Sequence, residues 1–545
     1  MKSLSSAVLV GIALAACSSP PRAPVTSAST GALQAPAASP AAGYEAAGVL
    51  ARSLPEISDA LAAGEITSAA LTRSYIDRIA AIDEAGPRLQ SVLQVNPDAL
   101  SQAAASDARR AAGEPLGPLD GIPILLKDNI ESLDPMPTTA GSPALIDNVT
   151  GRDSPLVAGL RAEGAVILGK TNLSQWANFR SNGSLSGWSS LGGQVRNPHM
   201  LDRNPCGSSS GTGAAIAASL AAAGVGTETN GSIICPSNVN GLVGLKPSLG
   251  LIPQAVIIPI SPRQDTAGPM TKTVRGAAML MNAMVEGDTD YTAGLSADAL
   301  KGVRIGVLRD AQGSNADIIE RFEASLEVLK AQGAELLDVP AVDLPPDFWA
   351  STLLVLQYEF KATLNQYLQS AAPGVKTRSL ADLIAFNKAN ADQELSLFNQ
   401  DIFEASEAKG QLTDENYITA VRLIQSATRE HGIDRQLAQF RVSALVAPSG
   451  PVSPRVDAVN GDVWPEWAGA GSLPAIAGYP NLTVPMGDVH GIPIGISFMG
   501  ARNADAALLA YGYAFEQASG VRLAPRYLTS AEARPEIAAA MIRQD

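Results

Sequence analysis

The sequence predicts an α/β fold arranged as one large domain, and three observations predict it. Gly121-Ile-Pro-Ile-Leu-Leu126 reads as a buried strand, Ser154-Pro155 opens a helix that Gly164 ends, and Ala165-Val-Ile-Leu168 reads as a second strand. The same strand–helix–strand rhythm returns at residues 303–308, 318–331 and 334–337. No clean linker interrupts the chain after residue 44, which favours one domain over the three that length alone would suggest.

Taken in order, the chain begins with an address. Lys2 supplies a positive charge, and residues 7–16 form an apolar run too short to span a bilayer. The run ends in Leu14-Ala15-Ala16-Cys17, which resembles the lipobox of bacterial lipoproteins. That resemblance implies a signal peptide over residues 1–16, cleavage before Cys17, and lipidation of Cys17. Ser18, in place of Asp, implies the outer membrane, so the expected location is the bacterial periplasm, held by the lipid anchor alone. Residues 17–43 carry five prolines among Ala and Ser and read as a tether. The globular part is expected over residues 44–545.

Within it, Thr67 can cap a helix whose Leu71, Tyr75, Ile79 and Ile82 share one face. Residues 214–223 read as a small-residue helix that must pack closely. Residues 346–440 read as mostly helical and more polar, a cap over the core, and residues 473–499 return to strand and turn signals. Composition excludes several classes. A 46% apolar share is too high for disorder, and a net charge of −14 is wrong for a nucleic-acid binder. Three cysteines exclude a disulfide scaffold, and three histidines leave little room for a His-rich metal site.

The chemistry concentrates between Lys127 and Ser232. Two Gly/Ser loops stand out, Cys206-Gly-Ser-Ser-Ser-Gly211 and Gly226-Thr-Glu-Thr-Asn-Gly-Ser232. Glycine lets amide N–H groups converge on one point, and a hydroxyl beside them is a candidate nucleophile; the bland reading is a pair of tight turns. The first loop also fits Gly-x-Ser-x-Gly around Ser209, but a nucleophile elbow needs a strand immediately before it, and residues 196–205 are polar with two prolines. His431 and His490 read as surface or structural residues. Lys127 is the better base. It follows an apolar run, and burial would favour its neutral amine. The alternative, equally open from the sequence, is a structural ion pair with Asp128.

These residues together resemble the amidase signature family. The match rests on Gly121-Ile-Pro-Ile-Leu-Leu-Lys-Asp-Asn129, Gly207-Ser-Ser-Ser-Gly211, Gly226-Thr-Glu-Thr-Asn-Gly-Ser232 and Gly241-Leu-Val-Gly-Leu-Lys-Pro247. It continues through Gln264-Asp-Thr-Ala-Gly-Pro269 and Ala477-Gly-Tyr-Pro-Asn-Leu-Thr-Val-Pro-Met-Gly487. Lys170-Thr-Asn-Leu-Ser-Gln-Trp-Ala-Asn-Phe179 is most similar to the bacterial peptide amidases of that family. The resemblance implies a central mixed sheet covered by helices on both faces. It implies a Ser–cis-Ser–Lys triad with Ser232 as nucleophile, Ser208 as bridging serine and Lys127 as base. A cis peptide would join Gly207 to Ser208. Backbone N–H groups of Thr229, Asn230, Gly231 and Ser232 would form the oxyanion hole. No metal or organic cofactor is required.

The implied activity is hydrolysis of a linear amide through an acyl-enzyme, with C-terminal peptide amides as substrates and ammonia as product. The expected partner is that small substrate, and the expected state is a monomer. A broader aryl- or alkyl-amide hydrolase is the alternative. An amidotransferase subunit fits poorly with an export signal, and a non-catalytic peptide-binding lipoprotein fits poorly with an intact Lys127, Ser208 and Ser232. The sequence departs from the family pattern at Asn230, where peptide amidase carries an acidic residue, and at Thr212-Gly213. Cys206 and Cys235 lie near the two serines. They could form a disulfide in an oxidising compartment or remain two buried thiols.

Overall fold

Pro123–Lys127 is a run of five fully buried residues, and it forms a strand covered on both faces. The computed structural model describes residues 43–543 and places this strand inside a large mixed sheet. The strands are β1 (Val92–Val95), β2 (Pro123–Lys127), β3 (Val166–Thr171), β4 (Trp188–Ser189), β5 (Gly193–Gln194), β6 (Ala223–Glu228), β7 (Val243–Lys246), β8 (Thr266–Thr271), β9 (Arg304–Val307), β10 (Glu335–Asp338), β11 (Ala444–Pro448), β12 (Asn481–Val489) and β13 (Ile492–Met499). Eleven form the main sheet in the order β1-β3-β2-β6-β8-β7-β12-β13-β11-β9-β10, and β4 and β5 form a separate ribbon. β2 runs parallel to β3 and β6, with Ile124 opposite Ala223 and Leu126 opposite Val225. The next neighbours, β8 and β7, are antiparallel. Helices flank the sheet, and its main apolar core draws on β2, β3, β12 and β13 together with the helices Leu54–Ala62, Val274–Met284, Ala316–Ala331 and Asp505–Ser519.

Local signals account for most of these elements. Thr67 Oγ1 accepts from Ala70 N at 3.1 Å and starts the helix Ser68–Arg78, which buries Leu71 and Tyr75. The expected face continues into Ile79 and Ile82, but through a π-helical turn at Ile79–Glu84. The helix Pro155–Ala162 stands where expected. Its Ser154 occupies the N-cap position without making a side-chain cap bond, so Pro155 and burial, not a hydroxyl cap, set that start. The small-residue helix is displaced. It covers Ser210–Ala217 and not residues 214–223, because Ser219 turns to φ +60° and Ala223 is taken into β6 between β2 and β8. Sheet pairing outweighs the helix preference of alanine here. The second Gly/Ser loop is correspondingly shorter than its motif, since Gly226, Thr227 and Glu228 belong to β6.

Residues 346–440 are helical as expected, with their longest helix at Phe348–Gln369. Two apolar clusters bind this region to the rest. One joins Phe360, Leu364 and Phe403 to Trp176, Phe179 and Ile258, and the other joins Val355 and Tyr417 to Ile476. A buried ion pair reinforces the first cluster. Arg180 donates to Glu394 at 3.4 Å with both side chains fully buried, and the guanidinium lies 4.1 Å from the Phe398 ring centre. Residues 1–42 lie outside the described residues, and with them the lipobox, Cys17 and the tether up to residue 42. Among the described residues no helix is long and apolar enough to cross a membrane.

Removing one partner of a buried pair leaves the other charge uncompensated. Glu394→Ala is therefore expected to destabilise the protein by about 3–5 kcal/mol in urea denaturation. Lys330→Ala, which breaks an exposed Lys330–Glu327 pair, is expected to cost under about 1 kcal/mol. Equal effects would show that the Arg180 contact does not hold the helical region down.

Candidate active site

The parallel pairing of β2 with β6 brings Lys127 and Thr227 together at the same strand ends. Lys127 Nζ donates to Thr227 Oγ1 at 2.8 Å, to Thr227 O at 3.1 Å and to Ser208 Oγ at 2.7 Å. Asn129 Nδ2 also donates to Thr227 Oγ1, at 3.0 Å. The Lys127 side chain is fully buried. Burial lowers its pKa to about 7, against the opposing pull of the Asp265 and Glu228 carboxylates. The ion pair with Asp128 does not form. Asp128 instead accepts from the Thr139 side chain, from Thr139 N at 3.2 Å and from Gly141 N, and the charge that acts on it is Lys170.

Ser208 sits on the loop between Pro205 and the helix Ser210–Ala217, and the Gly207–Ser208 peptide is cis. Gly207 is required by space: a Cβ there would lie 2.2 Å from Ser174 Oγ. Ser174 N in turn donates to Ser208 O at 3.1 Å. Ser209 is not an elbow nucleophile. Its hydroxyl donates to Thr227 O at 3.1 Å and accepts from Thr227 N at 3.2 Å, which pins the serine loop to the end of β6.

Ser232 is placed against this loop by Ser209 N, which donates to Ser232 O at 3.2 Å. Among the described residues its hydroxyl has no hydrogen bond to Ser208. Nor do the N–H groups of Thr229, Asn230, Gly231 and Ser232 donate to any acceptor among them. Four unpaired donors on one tight turn are a ready site for developing negative charge. Gly231 supplies the φ of +83° that the turn needs, with open space on its side. Glu228 fixes the turn from behind, its Oε2 accepting from Ile233 N at 2.8 Å and Ile234 N at 3.0 Å. Asp265 holds the other end. It accepts from Thr229 Oγ1 at 2.6 Å and from the amides of Ile260 and Ser261 at 2.7 and 2.8 Å.

Cys206 and Cys235 are disulfide-bonded, which settles the choice left open above. Together with Gly207, Asn230 and Gly231 they floor a cleft of about 680 Å³. Its walls include Leu308, Val342, Trp349, Trp464, Trp467 and Leu473, so residues 346–440 supply part of one wall. Asn230 is exposed at the floor and accepts from Ser472 Oγ at 3.1 Å. At the other departure from the family pattern, Thr212 Oγ1 shares a 2.7 Å hydrogen bond with Thr171 Oγ1. His199 is buried and bonded to Asn240 O, and burial drops its pKa to about 3. His431 and His490 are exposed. Thr227, Glu228 and Asp265 escaped the sequence reading as site residues. They lay inside two of the quoted motifs, but their partners come from other segments of the chain.

Lysine labelled for NMR is expected to show the Lys127 side chain titrating near pH 7, a range that buried Lys272 shares, and the Lys127 signal is assigned by its loss in Lys127→Met. Thr227→Val, which removes an acceptor of the charged amine, is expected to move that midpoint further down. A midpoint near the ordinary 10.5 would mean that water reaches the amine.

Comparison with known proteins places this geometry. The Amidase family model matches residues 70–509. The chain is 36% identical to a probable amidase of Arabidopsis thaliana, over 85% of this chain and 89% of that protein. It is 34% identical to a subunit of the glutamyl-tRNA(Gln) amidotransferase of Halorhodospira halophila, over 86% and 97%. Among solved structures, the native peptide amidase of Stenotrophomonas maltophilia superposes with a TM-score of 0.83 at 43% identity, covering 87% of this chain and 98% of that one. A peptide amidase in complex with the competitive inhibitor chymostatin gives the same TM-score at 44% identity and the same coverage. The buried lysine, the two serine loops and these likenesses agree: the chain belongs to the amidase family and is an amidase, a hydrolase of amide C–N bonds.

Proposed function

We propose that the protein removes ammonia from C-terminal peptide amides through a Ser232–Ser208–Lys127 relay. The observation that carries the reading is the 2.7 Å contact between the buried Lys127 amine and Ser208 Oγ, beside a turn of four unpaired N–H groups. In the free-amine form the same contact runs the other way, with Ser208 O–H donating to Nζ. The Ser208–Ser232 hydrogen bond closes when substrate seats in the cleft. Ser232 then loses its proton to Ser208 as Ser208 passes its own to Lys127, and Ser232 Oγ attacks the amide carbon. The carbonyl oxygen becomes an oxyanion facing the N–H groups of residues 229–232, each strong donor contributing about 3–4 kcal/mol. Lys127 returns the proton through Ser208 to the leaving nitrogen, and ammonia departs. Water attacks the acyl-enzyme with the same relay as base, releasing the acid and restoring Ser232.

The cleft supports an uncharged C-terminus as substrate. Among the described residues no Lys, Arg or His lines it, while Asp310 and Asp462 do. A free C-terminal carboxylate would meet no cation there and two carboxylates, a cost that a neutral amide does not carry. The likeness to peptide amidases, one of them inhibitor-bound, supports the same substrate class. The proposal extends to location in the periplasm on a lipid anchor at Cys17, on the strength of residues 1–17.

The test is ammonia release from a matched pair, a peptide with a C-terminal amide and its free-acid form. Release from the amide alone is expected, falling below about one part in 10⁴ in Ser232→Ala. Activity toward aryl amides with none toward peptide amides would replace the substrate assignment. Because the free Lys127 amine is the working form, kcat/KM is expected to rise with pH through about 7 and then level. Lys127→Met is expected to lower kcat about 10²–10⁴-fold.

A further inference from the structure

The Cys206–Cys235 disulfide joins the two loops that carry the serines. Cys206 stands two positions before Ser208 and Cys235 three after Ser232, and their Cα atoms are 5.9 Å apart. Each loop is also tied separately to the end of β6, the first through Thr227 and the second through Glu228. The Ser208 loop is held by Ser174 and by the end of β6, and the Ser232 turn by Glu228 and Asp265. Among the described residues the other direct bond between residues 206–210 and 229–235 is the 3.2 Å contact from Ser209 N to Ser232 O. Just outside those bounds Asn240 Nδ2 donates to Pro205 O at 3.2 Å and to Pro236 O at 2.8 Å, so the disulfide is the covalent tie among the few contacts that set the distance between the loops. Proton transfer between two hydroxyls needs them about 2.6–3.2 Å apart, and a 1 Å misplacement costs about 100-fold in rate. The disulfide lies at the cleft floor with little exposure. Cys206 and Cys235 are 5% and 2% exposed, and Trp464 packs against them with Val239.

We propose that Cys206 and Cys235 are positioning residues, their disulfide holding Ser232 within proton-transfer range of Ser208. This rests on the reading of Ser232 as nucleophile, so the test must report on that serine whatever the natural amide. The probe is p-nitrophenyl acetate, whose single-turnover burst of p-nitrophenol reads acylation and must vanish in Ser232→Ala. The full-length oxidised protein, the same protein reduced with a phosphine, and the double variant Cys206→Ser/Cys235→Ser are compared.

Reduction and the double variant are each expected to slow acylation about 10–100-fold. The half-saturating ester concentration is expected to stay within about threefold and the circular dichroism unchanged, because a placement error affects the chemical step and not the cleft. Reoxidation of the reduced protein with oxidised glutathione is expected to restore the rate. Unchanged acylation in folded, reduced protein overturns the proposal. So does loss of circular dichroism together with activity in both forms, which would leave the disulfide a stabilising role alone. A Ser232-dependent burst that follows the disulfide, in a protein that releases no ammonia from peptide amides, upholds the positioning role and overturns only the substrate reading. A burst independent of Ser232 overturns both.

Discussion

An amine sealed from water at the end of a central strand is the constraint around which this molecule is arranged. Burial alone would drive Lys127 neutral, and two carboxylates farther off, Asp265 and Glu228, pull the other way. The balance leaves the amine near pH 7, where it can both take and return a proton. Its hydrogen-bond needs are met by groups that accept from an ammonium and tolerate a free amine, the Thr227 and Ser208 oxygens. That choice of partners depends on the parallel pairing of β2 and β6, which sets Thr227 beside Lys127.

The carboxylates have a second task. Glu228 accepts from the amides of Ile233 and Ile234, and Asp265 joins the Thr229 hydroxyl to the amides of Ile260 and Ser261, so the two carboxylates hold residues 229–234 from either end. They leave the N–H groups of 229–232 free, since the turn is held from its flanks and not through its own amides. A site made this way needs little rearrangement when charge develops, which is the property that makes oxyanion stabilisation effective. Ser209 completes the frame by tying the first serine loop to both Thr227 and Ser232.

The cleft above is asymmetric. Its floor is backbone, Asn230 and the disulfide, and its walls are mainly aromatic and aliphatic, with two carboxylates and no cation among the described residues. Part of one wall, Trp349 and Gln436, comes from a helical region with its own apolar clusters, joined to the core through the Arg180–Glu394 pair and through Phe360 and Phe403 against Trp176 and Phe179. That part of the wall belongs to a packed region outside the proton relay.

The sequence by itself determined two strands, read at 121–126 and 165–168 and found at 123–127 and 166–171, together with the Thr67 cap and the loops carrying Ser208 and Ser232, because apolar runs, cap residues and glycine spacing act within a few residues of chain. It carried the family as well, through motifs spread from Gly121 to Gly487. Only the tertiary structure decided the rest. The alanine-rich stretch after Ser210 could continue as helix or turn into strand, and the edges of β2 and β8 chose strand from Ala223. Whether Lys127 would pair with Asp128 was undecidable locally, since the answer depended on Lys170 and Thr139 taking Asp128 and on Thr227 taking Lys127. The same holds for the union of Cys206 with Cys235. Each of these outcomes is a contact between residues distant in the chain, and a contact of that kind exists only once the sheet has brought the segments together.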